Sequence, residues 1–85
     1  MIWIRSQNKE VLIECNKVFG KFYMGCVIFG NDVLLGVYST KEKALKVLDM
    51  IQERIGNIEN IKSNQCMVNP NFFIFQMPLD SEVEE

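Results

Sequence analysis

Ser39-Thr40-Lys41-Glu42-Lys43-Ala44-Leu45-Lys46-Val47-Leu48-Asp49-Met50-Ile51-Gln52-Glu53-Arg54-Ile55 is where the hydrophobic period of this 85-residue chain changes. Ala44, Val47, Leu48, Ile51 and Ile55 recur at steps of three and four, which lines one face of an amphipathic helix. Ser39 followed by Glu42 forms a capping box and predicts the helix start, with Ser39 as N-cap. Gly56-Asn57 predicts its end, because both residues tolerate the left-handed conformation of a helix terminus. Lys46 and Met50 fall on the outer face.

Upstream the period is two. Ile2-Trp3-Ile4-Arg5 alternates and stops at Ser6-Gln7-Asn8-Lys9, and Val11-Leu12-Ile13-Glu14-Cys15 is a second β-branched run. From Val18 to Phe29 the chain is aromatic and β-branched, with Gly20 and Gly25 predicting a turn and a bulge. Gly30-Asn31-Asp32, between Cys26–Phe29 and Val33–Tyr38, is a hairpin signal. Downstream, residues 57–71 are polar, Asn-rich and contain Pro70, which reads as a loop. Phe72-Phe73-Ile74-Phe75-Gln76-Met77 then reads as a strand closed by Pro78, with apolar residues on both faces that favour a central or interface position over an edge. The expected fold is α+β: an antiparallel meander of about four strands, one amphipathic helix, and a C-terminal strand returning to the sheet. Residues 1–79 form a single α+β domain, and residues 80–85 an acidic flexible tail.

Eighty-five residues support one core, and 48% hydrophobic with 24% charged residues is a globular composition. The net charge of −2 argues against general nucleic-acid binding. It is unevenly placed, however: four of the eleven acids lie in Asp80–Glu85, and the remainder holds nine basic and seven acidic residues. There is no His, so the commonest general base and metal ligand are missing, and Cys15, Cys26 and Cys66 form no CxxC; neither a metal nor a cofactor is implied. Reduced thiols, the lack of a signal-like apolar run after Met1 and the lack of a membrane-length stretch give a cytoplasmic expectation, with no membrane partner.

No Ser–His or Cys–His pairing, Walker loop or GxGxxG is present, and the body carboxylates are scattered, so the expectation is a non-enzyme. Binding chemistry is better represented. Arg5, beside Ser6 and Gln7, is suited to gripping phosphate or carboxylate, or to a surface ion pair. Arg54 serves the same purpose or complements the helix dipole. Phe72, Phe73 and Phe75 stand close to Asn69, Asn71 and Gln76; they are core, or a ring face beside amides on which a flat base stacks. Trp3, Phe19, Phe22, Tyr23 and the last strand supply more bulk than one helix-covered sheet face needs, which predicts self-association as a homodimer or higher oligomer.

The strings Ile2-Trp3-Ile4-Arg5-Ser6-Gln7-Asn8-Lys9, Leu35-Gly36-Val37-Tyr38-Ser39-Thr40-Lys41-Glu42-Lys43-Ala44-Leu45-Lys46-Val47-Leu48-Asp49-Met50-Ile51-Gln52 and Phe75-Gln76-Met77-Pro78 resemble a family of small proteins found in phages, prophages and Gram-positive bacterial genomes. The order of strands, helix and returning strand also resembles the Thoeris anti-defence sponge proteins, which withhold a cyclic ADP-ribose-type signal from a bacterial immune effector. That resemblance implies a non-catalytic oligomer in the host bacterial cytoplasm, holding a cyclic nucleotide-type small molecule. By general position, Arg5, Arg54, Asn69 and Phe72 become candidates for phosphate grip, amide contacts and base stacking. Two other classes stay open: a protein-directed, anti-CRISPR-like inhibitor of a host defence factor, and a structural oligomeric module; an enzyme ranks third.

Overall fold

The computed structural model describes residues 2–22, 25–64 and 73–84. Five strands, β1 (Ile2–Arg5), β2 (Leu12–Cys15), β3 (Val18–Lys21), β4 (Cys26–Gly30) and β5 (Val33–Tyr38), precede the helix α1 (Lys41–Asn64), and β6 (Ile74–Gln76) follows it. The expected single meander is two three-stranded sheets, ordered β2-β1-β6 and β3-β4-β5. The α+β class and the single helix stand. The difference is one of pairing, which an apolar/polar alternation does not encode: β1 takes β2 antiparallel on one side and β6 parallel on the other.

Two side-chain amides splice the sheets together. At the bend between β2 and β3, the Asn31 Oδ1 accepts from the backbone N–H groups of Asn16 and Lys17 at 3.0 and 3.1 Å, while its Nδ2 donates to the Glu14 carbonyl at 2.9 Å. At the other end the Gln7 amide exchanges two 3.1 Å bonds with the backbone of Val37, as a neighbouring strand would. The Gln7 N–H also donates to the Leu35 carbonyl at 2.7 Å.

The Gly30-Asn31-Asp32 hairpin forms as the sequence implies, with φ of 49° at Asn31 and 70° at Asp32. Positive φ at both central residues matches the right-handed twist of the flanking strands. The bulge lies elsewhere than at the predicted glycines: the β4–β5 register shifts between Ile28 and Phe29, so that Leu35 is the additional residue. That shift turns Leu35 into the core while Leu34 and Val37 stay exposed. Gly25, just before β4, has φ 123°, a conformation that favours glycine.

The helix starts one residue later than the capping box places it. Thr40, not Ser39, is the cap: its Oγ1 accepts from the Lys43 N–H at 3.1 Å. The Ser39 N–H is instead directed to the Asp80 carboxylate at 2.8 Å. The helix also runs through Gly56-Asn57 to Asn64. Gly56 is exposed, and Ile58, 3% exposed, extends the buried stripe of Ala44, Val47 and Ile51 beyond it. Packing of that extra turn outweighs a glycine's local penalty of about 1 kcal/mol. Ile55, placed in the stripe by its spacing, lies 41% exposed at its margin.

These helix residues meet Ile2 and Ile4 of β1, Ile28 of β4, Leu35 and Tyr38 of β5 and Phe75 of β6 in one core. β6 stands at the edge of its sheet rather than in a central position, because among the described residues it pairs with β1 alone. The C-terminal segment departs from a flexible tail as far as Val83. Asp80–Glu82 forms a 3-10 turn, Lys43 reaches the Asp80 carboxylate at 3.6 Å, and Val83 is buried in the core.

Candidate binding surfaces

Of the four sequence candidates, Asn69 and Phe72 lie outside the described residues. The other two are held on opposite faces of the β2-β1-β6 sheet. β1 alternates buried and exposed, with Ile2 and Ile4 toward the helix and Trp3 and Arg5 away from it. Arg5 is in register with Gln76, and Ile4 with Phe75. Arg54 reaches the helix side, where its guanidinium lies 5.6 Å from the Phe75 ring centre and its Nη1 donates to the Ile74 carbonyl at 3.3 Å. It thus fastens the helix to the edge of β6. Its second sequence role, complementing the dipole at the helix end, is displaced because the helix continues ten residues further to Asn64.

Arg5 is exposed, and its Nε donates to the Lys9 carbonyl at 3.1 Å, closing the β1–β2 turn in which Lys9 has φ 68°. Its guanidinium borders an open cleft of about 430 Å³ whose walls are Lys9, Glu10, Leu12, Ile74 and Gln76. The Gln76 amide donates to the Ser6 carbonyl at 2.9 Å, which fixes the cleft floor.

A second surface lies on the other sheet. On the outer side of β3-β4-β5, Phe19 pairs across the ladder with Phe29, their rings stacked at 5.7 Å and 13°. The Lys17 ammonium lies 5.0 Å from the centre of the Phe19 ring, and that of Lys21 lies 4.8 Å from Phe29 and 5.7 Å from Phe19. Exposed Leu34 continues the Phe19–Phe29 row, and exposed Val37 continues that of Lys21 and Val27. Within residues 17–38 the sole acid is Asp32, at the hairpin tip. The signal was available in Lys17-Val18-Phe19-Gly20-Lys21, whose i, i+2, i+4 spacing puts both cations and the ring on one strand face.

The titratable groups with displaced pKa values serve the fold. Burial pushes the Cys15 thiol upward, making it less reactive. The Tyr38 hydroxyl is pushed far above the usual phenol range, chiefly by burial and then by the Asp80 and Glu82 carboxylates; it donates to the Pro78 carbonyl at 2.7 Å. Asp80 is held below the usual carboxylate range, first by the Ser39 backbone N–H and then by Lys43. Among the described residues no group of three His, Cys, Asp or Glu side chains is placed to hold a metal, and no helix is long and apolar enough to cross a membrane. No protein-family model, curated protein or solved structure matches this chain.

Proposed function

We propose that this chain is a non-catalytic binding protein that sequesters a small, ring-bearing anion of the cyclic-nucleotide class on the outer face of β3-β4-β5. The observation that carries this reading is the stacked Phe19–Phe29 pair with the Lys17 and Lys21 ammoniums over its rings. A flat base gains about 1–3 kcal/mol by stacking on such a ring. A lysine ammonium acts as a point charge for phosphate, and a charge-assisted contact contributes about 1.5–3 kcal/mol. Neither interaction requires a nucleophile or a general base. Holding a ligand without turning it over is also what the resemblance to the immune-signal sponges implies.

Native mass spectrometry against cyclic nucleotides and cyclic ADP-ribose isomers tests the reading. The expected result is addition of one intact ligand mass per site and recovery of the ligand unchanged. Lys17→Ala with Lys21→Ala weakens that binding by about 100-fold or more, two charge-assisted contacts being lost. Arg5→Ala leaves it unaltered, because Arg5 projects from the other sheet. Failure to bind any of the panel moves the assignment to a protein-directed inhibitor, for which exposed Leu34 and Val37 offer a flat apolar contact. An altered product overturns the non-catalytic reading.

A further inference from the structure

The outer faces of the two sheets differ in charge. That of β3-β4-β5 presents lysines and apolar groups, so two copies of it repel each other. That of β2-β1-β6 carries both signs. In one cross-strand row Trp3 stands between Glu14 and Ile74, and in the next Arg5 stands between Leu12 and Gln76. Trp3 is 42% and Leu12 49% exposed, a large apolar area for a surface of two rows. Trp3 occupies one end, and the cleft bordered by Arg5, Lys9, Glu10, Leu12, Ile74 and Gln76 opens along the Arg5 row.

A surface with a half-exposed indole at one end and a cleft at the other, where Arg5 and Lys9 outweigh Glu10, is complementary to its own copy after a twofold rotation. An axis between the two rows lays the Trp3 row of one copy over the Arg5 row of the other. We propose that this face joins two copies of the chain. Trp3 of each copy enters the cleft of the other with its indole over the Arg5 guanidinium, and Glu14 is brought toward the Lys9 end. Tryptophan and arginine at the centre of a contact are the residues that dominate association energies, and a desolvated indole–guanidinium pair is a strong form of cation–π contact. This inference rests on the first sheet alone and is independent of the ligand proposed for the second.

The chain contains a single tryptophan, so the contact reports on itself. Sedimentation velocity across a dilution series, read together with tryptophan emission, is the test. The expected result is a species of twice the 9.9 kDa chain mass whose emission moves to the red as dilution dissociates it. Trp3→Ala sediments as a monomer with the far-UV circular dichroism of the parent. Arg5→Glu, which changes an exposed side chain and leaves the core intact, weakens association by about tenfold or more and serves as the second variant should Trp3→Ala fail to fold. A parent that stays monomeric at every concentration overturns the proposal. So does a dimer that both variants leave unchanged, since its interface then lies elsewhere.

Discussion

Asn31 does two separable things. Its backbone, at φ 49°, turns the β4–β5 hairpin, and its side chain supplies three hydrogen bonds to the Glu14–Lys17 bend. Asn31→Gly keeps the first and deletes the second. We expect a loss of about 1–3 kcal/mol in urea-induced unfolding, because the freed backbone groups are exposed and regain water in place of the amide. Asp32→Gly, at φ 70°, is expected to be neutral or stabilising, since glycine adopts that conformation without steric cost. The hairpin was legible because Gly30-Asn31-Asp32 has one local reading. The splice was not, because nothing near Asn31 in sequence says that its amide faces Asn16 and Lys17. The same limit applied to the candidate site: Arg5 and Arg54 share a chemistry, but residue type carries no information about which side of a sheet each faces. Lys17, Phe19 and Lys21, by contrast, share a strand face by the pleat alone.

At the scale of elements, the helix shows where local signals hold and where packing overrides them. Its start and its stripe follow from Thr40, Ala44, Val47 and Ile51 to within one residue. Its end does not, because Gly56 is a stop signal only when nothing beyond it is buried, and Ile58 is buried. A methyl group added at Gly56 meets nothing within 4 Å. Gly56→Ala is therefore expected to stabilise the protein by about 0.8–1 kcal/mol, raising the thermal midpoint by about 4–8 °C in a domain of this size. A thermal melt followed by circular dichroism at 222 nm checks it; a lowered midpoint would mean that Gly56 marks a close approach by another segment. The strands were likewise legible one by one. Their division into two sheets depends on partners that no single strand specifies.

For the whole molecule, the acidic C-terminal segment acts as a clasp. The Asp80 carboxylate accepts from the Ser39 N–H and meets Lys43, Val83 enters the core, and the Tyr38 hydroxyl holds Pro78. Because the folded pKa of Asp80 lies below its unfolded value, its contribution is present above the ordinary carboxylate range and is lost as pH falls through the depressed folded value. Denaturation midpoints from pH 7 down to pH 3 (on the order of the carboxylate range) are expected to fall more steeply for the parent than for Asp80→Asn. Parallel curves would assign the clasp to Val83 and Tyr38 alone. A run of four acids at the end of a chain gave no hint of this, since the anchoring depends on Val83 and on where Ser39 and Lys43 have been carried.

The placement of β1 between β2 and β6 also governs the order of assembly. Its antiparallel neighbour follows within a short turn, whereas its parallel neighbour lies about 70 residues away, so that edge closes only after a long loop has been brought together. The β3-β4-β5 hairpins and the helix are local, which favours their forming earlier. Until the last strand arrives, one edge of β1 is an unpaired ladder, the kind of edge on which nascent chains aggregate. Refolding yield at high protein concentration is thus expected to depend on how soon three residues, Ile74-Phe75-Gln76, reach β1.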